Sequence, residues 1–578
     1  MIQRPFRLLA LLLLSLASTR VDAQGGGLVL RACTLPGVAG EARCGTLRVP
    51  ENRDLPGGRM LDLNVVVLPA HSGERAPDAV TFLSGGPGQA ATPMASWLNA
   101  QFGALRDTRD IVLMDGRGTG ASAPLNCEMR DPADPRALAG DFLPVEAVRR
   151  CRERLSGQAD LARYTLPEFA RDLDDVRAAL GYERLNLHGT SFGTRAAQVY
   201  LRMYPDRVRS VVLHGVVLPG AATPQAHARD AEAALAGTVR DCMADPACAA
   251  AFPRLEDEVR TVAARVRRGP VEVSYVDAET GRVTLSLSRG TVAETVRKML
   301  YAPGTASRLP FVIHRAAGGD WTPLASAAVS DRRMMSDAGW GLFLSVTCTE
   351  DVPYLDTLAA RATESTTLLG AYRVRQQVDA CRGWPRGELP AGYRDPVRSA
   401  VPALILAGEM DPATPPHWAD SAVAGLPNAV RIVVPRAAHA YHGMPGADCI
   451  DPLVVEFIRA GSARGLDTSC IARVRRPAWI VDEPRPVEVD SLSLARLTGV
   501  FVSAQPPLEM EIVQLRGGLR VTFSGGNPPM SLIPISATRF AIEGAPGVEL
   551  SFMLHHGFMR GVTVTTPDRP PMHMSPRR

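Results

Sequence analysis

The feature that most constrains this chain is a junction without a loop. Arg184 to Leu187 reads as a short strand, and Gly189-Thr190-Ser191-Phe192-Gly193 follows at once, opening a helix expected from about Phe192 to Met203. A serine at such a junction sits in a sharp turn. Glycines must flank it, because strand and helix there pack within van der Waals contact. The neighbouring segments extend the pattern. Upstream, Thr165-Leu166-Pro167-Glu168 reads as a capping box with proline in the first turn, and Phe169, Leu173, Val176 and Leu180 form one buried helical face ending at Gly181. Downstream, Val208 to Val217 is apolar and strand-like. Strand, helix, strand, helix, strand in succession predicts a parallel sheet covered on both faces, an α/β fold.

Further strands are expected at Leu61 to Leu68, Ala79 to Leu83 and Asp110 to Met114, with the glycine-rich loop Ser84-Gly85-Gly86-Pro87-Gly88 between the last two. The stretch from about 221 to 396 breaks the rhythm. It is largely helical by pattern, as at Ala226 to Val239 and Leu255 to Val266, and reads as a cap inserted before the sheet resumes at Pro402 to Leu406 and Arg431 to Val434. From about 490 the pattern alternates with period two. Met510 to Ile512 and Leu519 to Phe523 flank Gly517-Gly518, as in a hairpin, which predicts a small antiparallel β domain over 490–578. The organisation expected is thus a leader at 1–23, a core in two parts at 24–220 and 397–482, a helical cap at 221–396 and the accessory β domain.

Ser191 is a candidate nucleophile. A serine hydroxyl is weak at neutral pH and needs a base, which in turn needs an orienting carboxylate. In chain order the acid and then the histidine should follow, each in a loop after a strand. The strand at 402–406 leads to Glu409-Met410-Asp411-Pro412, making Asp411 the candidate acid with Glu409 as its rival. The strand at 431–434 leads to His439 and His442, of which His439 comes first and is the candidate base. The oxyanion needs two backbone N–H groups. Phe192, after the nucleophile, supplies one, and Gly86 or Gly85 in the early glycine loop supplies the other.

Composition excludes other classes. With 64 basic and 60 acidic residues the formal charge is +4, too balanced for an electrostatic nucleic-acid binder. Arg4 and Arg7 before an apolar run from Leu8 to Ala17, then Val21-Asp22-Ala23, read as a secretory leader cleaved after Ala23. The run falls short of the roughly 20 residues that span a bilayer. Ten cysteines fall as sequential neighbours: 33 and 44, 127 and 151, 242 and 248, 348 and 381, 449 and 470. Their count allows about 945 full pairings, and neighbour pairing is expected because each would close a short loop in an oxidising compartment. No Cys and His cluster has zinc-ligand spacing.

Several motifs together resemble the proline iminopeptidase and tripeptidyl aminopeptidase group of serine peptidases of the α/β-hydrolase fold, with a TAP-like C-terminal region. They are SGGPG at 84–88, DGRGTGAS at 115–122, NLHGTSFGTRAAQVYLRMYPDRVRSVVLHG at 186–215, CMADPACAAAFP at 242–253, SVTCTEDVP at 345–353 and GEMDPATPP at 408–416. The resemblance spans most of residues 30 to 480 and implies Ser191, Asp411 and His439 as triad under a helical cap that admits a free peptide N-terminus. Two departures stand out: Ser84 where the family loop often has histidine, and His214-Gly215 where it usually has Asp-Gly. The implied activity is that of an exported serine aminopeptidase releasing residues or short peptides, without cofactor or metal. A carboxylesterase or lipase using the same triad is the alternative, and a binding protein on a hydrolase scaffold is a third reading. An aminopeptidase must also hold a protonated amine, and Glu350 and Asp351 are the carboxylates expected to do so.

Overall fold

The computed structural model describes residues 27–577, apart from 39, 56, 278, 336–338, 484–485, 505–506, 525–528, 544, 556–557 and 567–568. The expected leader at 1–23 lies outside the described residues.

The strand-helix alternation builds a nine-stranded sheet. Its strands are β1 (Arg31–Cys33), β2 (Ala42–Pro50), β3 (Met60–Leu68), β4 (Asp78–Leu83), β5 (Ile111–Met114), β6 (Arg184–Thr190) and β7 (Val208–His214). After an insertion carrying the hairpin β8 (Val271–Asp277) and β9 (Gly281–Leu287), β10 (Ala403–Gly408) and β11 (Ala429–Val434) complete it. The order is β1-β2-β3-β5-β4-β6-β7-β10-β11. Strands β1 to β3 run antiparallel to their neighbours, and from β5 to β11 every pairing is parallel.

Burial on both faces explains the continuous apolar runs. Successive residues divide between two cores: on β7, Val211 and Leu213 face one and Val212 the other, and on β10, Ile405 and Ala407 oppose Leu404 and Leu406. Helix Phe192–Met203 packs beside β6 and against helix Leu166–Ala179 on the first side, whereas helix Ile450–Ala460 lies on the second.

Three sequence expectations change in detail. The capping box does not form: Thr165 makes no side-chain cap bond, and the Glu168 carboxylate, which would have reached back to the Thr165 N–H, goes to Arg53 at 2.9 Å and Arg171 at 2.6 Å. Strand β7 stops at His214, three residues early, where Gly215 takes a φ of 67° and turns the chain. The insertion is mainly helical, including His227–Ala244, Leu255–Arg267, Arg289–Met299, Thr322–Met334 and Trp340–Glu350, but it also contains the β8–β9 hairpin.

The C-terminal strands, from β12 (Gly499–Ala504) to β19 (Arg569–Pro576), close into an eight-stranded antiparallel barrel, with β12 bonded to both β13 (Pro507–Leu515) and β19. Closure removes the exposed edges that an open sheet would leave. The barrel is pinned to the insertion through Glu543, whose Oε1 accepts hydrogen bonds at 2.6 Å from both Tyr275 Oη and Ser326 Oγ. All ten cysteines pair as sequential neighbours, with Cα atoms 5.2 to 6.4 Å apart.

Candidate active site

Ser191 occupies the turn between β6 and helix Phe192–Met203 with φ 55° and ψ −123°, a conformation that side chains rarely adopt. Its N–H donates to the His214 carbonyl at 2.8 Å, which ties the turn to the end of β7. The flanking glycines are a steric necessity. A Cβ on Gly193 would come within 1.9 Å of the Leu83 carbonyl oxygen, and one on Gly189 within 2.5 Å of the Gly193 oxygen. The loop after β4 passes close by: a Cβ on Gly85 would stand 3.4 Å from Ser191 Cβ, and Gly86 takes a φ of 113°. Gly339 N–H donates to the Gly88 carbonyl at 3.0 Å, fixing this loop against the start of helix Trp340–Glu350. A cavity of about 50 Å³ adjoins Gly85 and Phe192, with Phe169, Leu342 and Val346 among its walls.

Asp411 and His439 come together from the loops after β10 and β11. His439 Nδ1 lies 2.7 Å from Asp411 Oδ2. The carboxylate is buried and also accepts from Ala413 N–H at 2.7 Å, Thr414 N–H at 2.9 Å and Thr414 Oγ1 at 2.6 Å. Burial raises its pKa, but the charge of His439 and these hydrogen bonds outweigh burial and leave it at about 2. It is therefore ionised at neutral pH. Thr414 Oγ1 also stands 3.0 Å from His439 Nδ1, so the ring is gripped by both partners. Gly215 gives the imidazole room, since a Cβ there would meet His439 Cε1 at 3.1 Å. On the cap side, the Tyr301 ring lies 4.9 Å from that of His439, and Ala440 N–H donates to the Tyr301 carbonyl at 3.0 Å. Ser191 Oγ makes no hydrogen bond among the described residues.

The rivals are engaged elsewhere. His442 Nε2 lies 3.3 Å from Asp451 Oδ2 and its ring stacks on Tyr441, while Glu409 accepts from Arg436 N–H at 2.7 Å. Behind the site, His188 and His214 are buried, which pushes each pKa down to about 3 and keeps both neutral.

Glu350 and Asp351 fit an amine-binding role poorly. Both are buried, at 0% and 3% exposure. Asp351 Oδ1 accepts from Arg195 Nη1 at 3.0 Å and Thr223 N–H at 3.2 Å, and Glu350 accepts from Leu166 N–H at 2.8 Å and from the Tyr393 hydroxyl. The pair joins helix Trp340–Glu350 to the core, with both Glu350 oxygens and Asp351 Oδ1 already engaged. Thr414, Gly215, Arg195 and Tyr301 escaped sequence reasoning. Of these, Thr414 carried a signal, a hydroxyl three residues past the acid. Among the described residues no group of three or more His, Cys, Asp or Glu is arranged to hold a metal ion.

Two family models match the chain, one described as alpha/beta hydrolase fold over residues 78–267 and one as TAP-like protein over 366–470. The first contains Ser191 and the second Asp411 and His439. The chain is 26% identical to the tripeptidyl aminopeptidase of Streptomyces coelicolor, over 74% of this chain and 83% of that protein. It is 25% identical to serine protease Hip1 of Mycobacterium tuberculosis, over 75% of this chain and 88% of that protein. A shorter match, 32% identical over 36% of this chain and 43% of the relative, is to carboxylesterase B of Mycobacterium tuberculosis. The chain thus belongs to the α/β-hydrolase fold, among the serine hydrolases that carry a TAP-like region and are kin to tripeptidyl aminopeptidases.

Proposed function

We propose that this protein is an exported serine aminopeptidase that removes short peptides or single residues from free peptide N-termini, with Ser191, Asp411 and His439 as its triad. The observation that carries the reading is the Asp411–His439 couple at 2.7 Å, on loops at the same sheet end as the strained Ser191 turn. His439 Nδ1–H donates to Asp411, so Nε2 is the nitrogen left to act as base. It takes the Ser191 proton as Oγ attacks the scissile carbonyl, a hydrogen bond that tightens when substrate is bound. The Phe192 N–H, with that of Gly86 or Gly85, receives the oxyanion. His439 then protonates the leaving amine, and water resolves the acyl-enzyme. Export is supported by the five disulfides and the leader-like N-terminus.

Esterase action is the second reading, supported by the carboxylesterase B match. Fluorophosphonate labelling of the folded protein, with Ser191→Ala as control, tests the nucleophile; the variant should lose about a million-fold in kcat. Absence of labelling would support a non-catalytic scaffold. Tripeptidyl and aminoacyl anilides, free or N-acetylated, and simple esters then separate the classes. Amide cleavage indifferent to acetylation would sink the aminopeptidase reading.

A further inference from the structure

The helical insertion buries a second cluster of charge that the serine site does not use. Arg297 Nε and Arg373 Nη1 take one oxygen each of Glu294, both at 3.2 Å, and all three side chains are buried. Arg332 lies beside them at 3% exposure, yet neither Nη1 nor Nη2 has a hydrogen-bond partner among the described residues. Among the described residues the acid paired with it is Asp331, whose Oδ2 lies 3.9 Å from Nε. Arg373 Nε is likewise without a partner. Both guanidiniums rest on the Phe142 ring, Arg373 at 3.7 Å and Arg332 at 4.9 Å from its centroid, so they share one neighbourhood. Arg130 adds to the excess: its Nε is also unpartnered, and burial together with the charge of Arg332 brings its pKa down to about 9.

Among the described residues, Arg297 and Arg373 thus share one buried carboxylate, while Arg332 and Arg130 have the more distant charges of Asp331 and Asp141. A guanidinium stays charged and carries five N–H donors, and taking it out of water without an acceptor is strongly unfavourable. Among the described residues the place holds more unpartnered donors than acceptors. We propose that Arg332 and Arg373 form an anion-binding site inside the cap, taking one small carboxylate or inorganic anion of similar size. The site communicates with the triad. Arg297 Nη1 donates to Tyr301 Oη at 2.6 Å, and the Tyr301 ring lies against His439. An anion that neutralises the cluster steadies Arg297, Tyr301 and hence the imidazole. The anion is either free in solution or the C-terminal carboxylate of a short peptide; the second source rests on the peptidase reading.

Wild-type protein in HEPES at constant ionic strength, titrated with sodium acetate or chloride, should show a saturable rise in Tm of about 2–4 °C. Arg332→Gln should abolish it, and crystals soaked in bromide should give an anomalous peak at Arg332. Tetrapeptides as free acid and C-terminal amide distinguish the sources. A preference for the acid that acetate competes away, and that Arg332→Gln loses, assigns the site to the substrate carboxylate. Equal cleavage of both with the Tm response assigns it to a free anion. No peptide cleavage removes the peptidase reading alone and leaves the Tm and bromide arms standing. If Arg332→Gln does not fold, those two wild-type arms still decide. No saturable Tm response, no bromide peak and equal cleavage of acid and amide would overturn the proposal.

Discussion

Thr414 shows how much of the site depends on a residue that does no chemistry. Its hydroxyl donates to Asp411 Oδ2 and lies 3.0 Å from His439 Nδ1, and its N–H holds the other carboxylate oxygen. Thr414→Val keeps the shape and the backbone bond but removes the hydroxyl. It should lower kcat about tenfold with little change in KM, the mark of a positioning residue whose loss loosens the imidazole. Steady-state kinetics on an anilide substrate checks this; a KM effect with kcat intact would place Thr414 in substrate binding. Gly193 makes the opposite kind of demand, for absence of atoms. Gly193→Ala places a Cβ 1.9 Å from the Leu83 oxygen, so the elbow must shift. Fluorophosphonate labelling should fall by at least about a hundredfold, since small misplacements at a reacting atom are that costly. Unchanged labelling would mean that the contact relaxes without moving Ser191.

At the scale of elements, helix Trp340–Glu350 is a strut between cap and core, held by Asp351 on Arg195 of the nucleophile helix. Arg195 is fully buried, so Asp351→Ala strands a guanidinium and should cost about 3–5 kcal/mol. The double variant Arg195→Met, Asp351→Ala removes both charges and should recover much of that loss. Chemical denaturation of the three variants measures the coupling; additive losses would refute it. These elements also show what was legible in the sequence. The strands around Ser191, the helix Phe192–Met203 and the order of acid and histidine could be read because periodicity and glycine placement are local signals. The roles of Glu168 and Glu350 could not. Glu168 has the spacing of a capping box, but Arg53, 115 residues away in sequence, claims it. Glu350 and Asp351 were expected to hold a substrate's protonated amine, and only the tertiary fold places Tyr393 and Arg195 against them. The β8–β9 hairpin was partly legible and missed: V-E-V-S-Y alternates before the pattern breaks at Val276-Asp277, and it lies in a run dominated by helical spacing.

For the whole molecule, the buried titratable groups set opposing pH dependences, and their balance can be worked out. Burial holds His188 and His214 at about 3, against an ordinary value of 6.5. Between those values the unfolded chain binds two protons that the folded one refuses, so stability is full above pH 6.5 and is lost as pH falls towards 3. Asp411, brought from 3.8 to about 2, adds a further loss below pH 3.8. Glu350 acts the other way. Burial raises it from 4.5 to about 7, so the folded protein keeps a proton that the unfolded chain releases, and this contribution disappears as pH rises from 4.5 to 7. His227, also buried and held well below its ordinary value, acts with His188 and His214. Three histidines thus oppose Glu350 across most of this window, and wild-type stability should rise from pH 4.5 to 6.5 with a slope blunted by Glu350. Glu350→Gln keeps an oxygen to accept from Leu166 N–H but cannot ionise. Its Tm profile should climb more steeply through pH 4.5 to 7 than that of the wild type, with the two converging at low pH apart from a constant offset. Scanning calorimetry at a series of pH values reads the difference directly. Parallel profiles would mean that Glu350 titrates alike in the folded and unfolded chains, and that its burial between cap and core is relieved in solution.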